Sequence, residues 1–441
     1  MRFGIEAASF YVPHLYLNIK DLAEKRGIDP LKLEKGLGLM KMAFPDVHED
    51  AATFAAEALL KLIQDFDIQP SEISRVYMGT ESALDAAKPT ATFAVQMVEA
   101  ALSEKYGTRS FKNCDVVDLT FACIGGVDAL QNALDYVRVN PNKKAVVIAS
   151  DYAKYELSSG GEYTQGGGAV ALLVSAQPNL LEIENYWGVG MESVFDFFKP
   201  RRHFLKSDLQ NALESYADKI EIFSDEPVFD GQYSNDCFKD RIREAYEHFK
   251  QEKGVDGNAF QDWKYLVFHL PYAFHGKRIF SEIFGIENQL PHTTKEELKE
   301  ISSSEAYRNL VKEKIEPTQR ASSEIGNMYT ASVFMALLSG LQVSYDQQED
   351  LKGVKLGFFA YGSGSKSKVF EAKVGENWKE VVAKWNLFQV LEERTAIDFD
   401  TYEKLHRKQL ETSVVDKKGF HLVKVEAESS VLLGARYYKY L

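Results

Sequence analysis

Short apolar runs alternate along this chain with stretches of helical period. The runs RVYMGT (75–80), DVVDLTF (115–121), KAVVIAS (144–150) and AVALLVS (169–175) come first; YLVFH (265–269), KLGFFAY (355–361) and FHLVKVE (420–426) follow. Each is rich in β-branched or aromatic residues and bounded by polar residues or glycine, which predicts a strand. Val127, Leu130, Leu134 and Val137 recur at spacings of three and four, which places them on one helix face. Residues 52–66 and 328–342 read the same way. Alternating β and α elements predict a layered α/β fold with strands buried between helices.

The polar residues at strand ends repeat in order. A strand ends at Thr80-Glu81, Phe121-Ala122-Cys123-Ile124-Gly125-Gly126 leads into a helix, and a third run ends at Ser150-Asp151. Later a strand ends at Phe268-His269, Gly326-Asn327 precedes a helix, and a run ends at Tyr361-Gly362-Ser363-Gly364. This echo predicts a duplicated fold whose halves present side chains to one cleft at the carboxyl ends of parallel strands. Residues 200–260, charged and aromatic-rich, read as a helical insertion. Residues 371–441 read as a mixed continuation of the second half.

Charge and cysteines narrow the function classes. Lys and Arg number 52 against 65 Asp and Glu, a net charge of -13. An acidic balance argues against nucleic acid as a partner, because phosphate binding needs cations that displace counterions. Three cysteines, Cys114, Cys123 and Cys237, make neither a disulfide framework nor a CxxC metal pair, and a reducing compartment is expected. The start, MRFGIEAASFYVPHLYL, lacks a continuous apolar segment. The longest apolar stretches fall far short of the roughly 20 residues that cross a bilayer. A cytoplasmic protein without a membrane span is expected. The histidines show no HExxH or other ligand spacing, so no metal site is expected.

Several residues stand where chemistry is done, each with a plainer alternative. Cys123 lies between a strand and a Gly-Gly helix entry, where free N–H groups favour a thiolate and glycine permits close approach of a bound group; a buried packing cysteine is the alternative. Glu81 in GTESALDAAKP suits a general base if desolvated, or simply the first turn of a helix. His269 suits a donor that polarises a carbonyl, or a strand-end histidine bonded to backbone; His275 is expected on the helix that follows. Asn327 precedes a helix and equally suits an N-cap. Ser363 lies in a Gly-rich turn whose N–H suits an oxyanion hole, or a tight loop alone. GEYTQGGGA (161–169) lacks the Lys-Ser/Thr of a P-loop.

Together these segments resemble hydroxymethylglutaryl-CoA synthase, of the thiolase superfamily. The resemblance is carried by Glu81 in TESALDAAKP, Cys123 in FACIGG, His269 in FHLPY, and Asn327 with Tyr329 in GNMYTAS. PVFDGQYSNDCF (227–238) is similar to the family's Asp-Gly-x-x-Ser region, YTQGGGAVALL to its Pro-Thr-Gln-Gly loop, and YGSG (361–364) also matches. The resemblance implies a thiolase-like duplicated five-layer α/β fold with a helical insertion in the second half. It implies one half at 1–175 with Glu81 and Cys123, and another at 176–441 with His269, Asn327 and Ser363.

The resemblance also implies a reaction. Cys123 would take an acetyl group from acetyl-CoA, and backbone N–H groups of Cys123 and Ser363 would hold the oxyanion. Glu81 would remove a methyl proton, and the carbanion would attack the ketone of acetoacetyl-CoA. His269 would anchor that ketone, Asn327 would orient the acyl group, and Tyr155, Thr164 and Tyr329 would shape the pocket. Water would release 3-hydroxy-3-methylglutaryl-CoA for the mevalonate pathway. Phe274 stands where the family often has a CoA-binding lysine, so Lys277 or Arg278 would substitute; Tyr163 replaces the loop's proline. The resemblance implies CoA thioesters as substrates, no resident cofactor and a homodimer. The alternatives are a β-branching synthase fed by an acyl carrier protein in polyketide assembly, a ketoacyl synthase III-type enzyme, which lacks the Glu81 motif, and a non-catalytic scaffold.

Overall fold

The computed structural model describes residues 1–205, 219–416 and 418–441. Strands Gly4–Tyr11, Gly166–Ser175, Lys144–Ala153, Ile73–Gly79 and Asp115–Leu119 lie side by side in that order. Gly166–Ser175 is antiparallel to both neighbours, and the last three run parallel. The order then repeats with Leu181–Ile183, Lys366–Val374, Lys355–Gly362 and Trp263–Phe268. Lys366–Val374 is antiparallel to both neighbours, and Lys355–Gly362 is parallel to Trp263–Phe268. The two runs join edge to edge where Gly4 and Ile5 pair with Glu182 and Leu181. The duplication therefore lies in strand order, where the sequence has no repeat.

Alternation along one strand sorts the layers. Ala169, Ala171 and Leu173 face a core shared with helices Ala51–Asp65 and Thr90–Ala101. Val170, Leu172 and Val174 face a second core shared with helices Gly125–Val139 and Ser332–Asp346. Helix Gly231–Lys253 packs on the second run of strands. The result is the thiolase-like α/β fold, with helices outside and between the two runs. The two middle helices start beside the strand ends, which is where the site forms.

Two stretches differ from expectation. The start of 200–260 is a hairpin, Arg201–Leu205 against Lys219–Phe223, and the helix begins only at Gly231, where the Asp230 carboxylate accepts the N–H groups of Gln232 and Tyr233. Residues 206–218 of that stretch lie outside the described residues. The C-terminal stretch does not stay with the second half. Thr395–Ile397 pairs with Leu15–Asn18, and the hairpin Phe420–Val425 with Arg436–Tyr440 packs on helices Ala51–Asp65 and Thr90–Ala101. Burial of Phe420 in the outer core draws it there.

Candidate active site

Cys123 follows Ala122, whose φ of 41° is left-handed backbone. The turn ends the strand Asp115–Leu119 and starts the helix Gly125–Val139 within a few residues. The glycines after Cys123 serve packing of backbone on backbone. A Cβ on Gly79 would stand 2.3 Å from Gly126 N, and one on Gly126 would stand 2.8 Å from Thr330 O. The expectation that they admit a bound group is replaced by this one: they bring the Glu81, Cys123 and Thr330 segments together. A Cβ on Gly362 would stand 2.6 Å from Phe121 O, so the Ser363 turn closes on the same loop.

Asp151, read in the sequence only as a strand end, ties these segments. Its Oδ1 accepts the Glu81 N–H at 2.7 Å, the Thr80 hydroxyl at 3.0 Å and the Ser82 hydroxyl at 2.9 Å. Its Oδ2 accepts the Thr330 N–H at 3.0 Å and the Thr330 hydroxyl. A buried carboxylate with five donors is well satisfied and holds Glu81 in register with the second half. Asp196 does similar work from the other side: it accepts the Tyr361 hydroxyl at 2.7 Å, the Gly364 N–H at 2.7 Å and the Ser234 hydroxyl at 3.1 Å. Sequence reasoning assigned neither carboxylate. Their only signal was position at the end of an apolar run.

Glu81 lies against the Cys123 thiol. Burial raises the Glu81 carboxyl to about 7; Lys199 lowers it and Asp151 raises it further. Its Oε1 is buried with no hydrogen-bond partner among the described residues. Burial, and then the charge of Glu81, push the Cys123 thiol well above its ordinary range. The expectation of a resting thiolate at the helix entry is thereby corrected: the resting group is a thiol beside a base poised near neutrality.

Cys123 opens onto a cavity of about 330 Å³ that also meets Tyr155, Thr164, His269, Asn327, Tyr329 and Ser363. The structure thus brings every predicted pocket residue except Lys277 to one wall or floor. Asn327 is buried, and its side chain accepts the Tyr329 N–H at 2.8 Å while its own N–H reaches Thr164 O at 2.9 Å. It therefore caps a turn and lines the cavity at once. The Tyr155 and Tyr329 rings stand 6.3 Å apart. Burial lowers His269 to about 3, so it is a neutral imidazole able to donate one N–H. Phe238 stacks on it at 6.0 Å.

The cavity mouth differs from expectation. Lys277 does not line it; its ammonium lies over the Phe274 ring. Arg278 does line it, exposed, and donates to Gly36 O at 2.7 Å. His275 also lines the cavity, buried, with both ring nitrogens unpartnered among the described residues. Among those residues there is no His, Cys, Asp and Glu group that could hold a metal ion, and no helix long and apolar enough to cross a membrane.

A nucleophile-type cysteine at a helix entry in a duplicated α/β fold defines an acyltransferase of the thiolase class. The profile described as "Hydroxymethylglutaryl-coenzyme A synthase N terminal" matches residues 1–179, and that of the "C terminal" part matches residues 286–438. A hydroxymethylglutaryl-CoA synthase of Haloferax volcanii is 32% identical over 433 residues, covering 91% of each chain. The solved structure of MvaS in complex with 3-hydroxy-3-methylglutaryl coenzyme A is 30% identical, with a TM-score of 0.82, and covers 100% of this chain and 99% of that one. The curacin-pathway HMG synthase in complex with acetyl donor-ACP is 22% identical, covers 100% of both chains and shares the fold at a TM-score of 0.78. The chain belongs to the hydroxymethylglutaryl-CoA synthase family.

Proposed function

We propose that this protein condenses acetyl-CoA with acetoacetyl-CoA and releases 3-hydroxy-3-methylglutaryl-CoA. The observation that carries the reading is the pairing of Cys123 with Glu81 at the floor of a cavity whose walls hold His269 and Asn327. The Cys123 proton passes to Glu81 as sulfur attacks the thioester carbon. The C–S bond to CoA breaks, and CoA leaves as a thiol with that proton. Donors at the Cys123 and Ser363 turns hold the oxyanion.

Glu81, again a carboxylate, takes a proton from the acetyl methyl group, whose acidity the thioester raises. The carbanion attacks the ketone carbon of acetoacetyl-CoA. Neutral His269 donates its N–H to the ketone oxygen and supports the alkoxide, which takes the proton held by Glu81. Asn327, fixed by the Tyr329 N–H, orients the acyl group. Water then cleaves the product's thioester bond to Cys123, and the carboxylic acid leaves with a free thiol behind. A role in the mevalonate pathway, a homodimeric state and a cytoplasmic location belong to the same reading.

Liquid chromatography with mass spectrometry tests it: the two CoA thioesters together yield hydroxymethylglutaryl-CoA, and either alone yields none. Absence of that product with active, folded protein overturns the reading. Phe274, where the resemblance places a CoA-binding lysine, favours one second reading, in which an acyl carrier protein delivers the acetyl group. Product from acetyl carrier protein but none from acetyl-CoA would establish it.

A further inference from the structure

Lys199 is the unabsorbed charge nearest the reacting pair. It follows Phe197 and Phe198, a short strand held against Val228 and Phe229 and anchored by the neighbouring Asp196. From there its ammonium reaches inward. It lies 4.7 Å from the centroid of the Tyr329 ring and 3.4 Å from the backbone oxygen of Glu81. No carboxylate among the described residues forms an ion pair with it, although Lys154 nearby is paired with Glu226 at 3.0 Å. A partly buried cation without a counter-ion, resting on an aromatic face, is held for some other negative charge.

The groups that face Glu81 and Cys123 are few. They are Asp151, Lys199 and the phenols of Tyr155 and Tyr329. Asp151 is negative and the phenols are neutral, so Lys199 is the one positive group among them.

We propose that Lys199 is the charge-setting residue of the site: it holds the single negative charge that Glu81 and Cys123 share, and so makes the thiol reactive near neutral pH. This rests on the reading of Cys123 and Glu81 given above. It extends that reading to a residue that does not contact the reacting atoms and acts through the pair. Tyr329 serves as the platform that keeps the ammonium over the pair without neutralising it.

Iodoacetamide alkylation of Cys123 measures this directly, followed by peptide mass spectrometry between about pH 6 and 9, a range that brackets an unperturbed thiol and a lowered one. Mapping separates Cys123 from Cys114 and Cys237. Lys199→Met is expected to slow alkylation about tenfold at pH 7 and to move the pH midpoint up by about one unit. Lys199→Arg is expected to stay within about twofold of the parent, because the charge is kept. A Lys199→Met profile that superimposes on the parent overturns the proposal, as does a Lys199→Arg variant equally impaired, since that marks a packing role. The probe needs no CoA thioester. If the parent is alkylated normally but takes no acetyl group, the functional reading fails while the charge-setting role still stands.

Discussion

The Asp151 carboxylate accepts the backbone N–H of Glu81 at 2.7 Å. Through its other oxygen it holds Thr330, so a base from the first half and a loop from the second share one anion. Asp151→Asn leaves one acceptor oxygen and places an NH2 among donors. It should lower stability by about 2–4 kcal/mol and kcat by at least about a hundredfold. Thermal melts and steady-state rates measure both. A variant with parental kcat would remove Asp151 from the positioning of Glu81.

Glu81→Gln separates the two half-reactions. Acetylation of Cys123 should slow, because the thiol loses its base, and condensation should stop. Quantifying acetyl-enzyme and product in the same quenched samples checks this; product at the parental rate excludes Glu81 as the base.

The same variant tests the electrostatics. A folded-state pKa raised from 4.5 to about 7 means that ionised Glu81 costs stability. The cost grows as pH rises through that window and is constant above it. Glu81→Gln should therefore gain stability at pH 8, up to about 3 kcal/mol, and little at pH 5. Parental activity should fall as pH drops through about 7. His269, lowered to about 3, should add no limb of its own. Equal melting shifts at both pH values would contradict the raised carboxyl.

The mouth residues give a contrast. Arg278→Ala should raise the KM for CoA thioesters several-fold, because it removes an exposed cation at the cavity entrance. Lys277→Ala, which does not touch the cavity, should leave KM within about twofold. The reverse pattern would place the CoA phosphates on the other side of the helix.

His275 offers a stability test. Two buried ring nitrogens without partners are costly, so His275→Leu should raise stability by about 1–3 kcal/mol. A lowered melting temperature would mean that the ring packs or bonds in a way its present surroundings do not account for.

Much of this was legible in the sequence because strand ends are written in short runs. The apolar runs before Glu81 and His269 stop where the strands stop, and the period from Val127 to Val137 matches the helix Gly125–Val139. Lys366–Val374 was missed because its charges point inward. Lys368 meets Asp128 at 2.7 Å, and Glu371 takes the Trp263 indole N–H at 3.0 Å, so tertiary pairing overrides a polar-looking pattern. Asp151 and Asp196 escaped because their importance lies in donors from distant segments. The thiolate expectation failed because helix position was visible in sequence while burial and the facing carboxyl were not.

Peptide mapping by mass spectrometry after brief mixing with acetyl-CoA alone tests the proposed chemistry most directly. One acetyl group on Cys123, absent in Cys123→Ala and discharged as hydroxymethylglutaryl-CoA when acetoacetyl-CoA is added, is the expected result. An acetyl group on another residue, or product formed by Cys123→Ala, would contradict it.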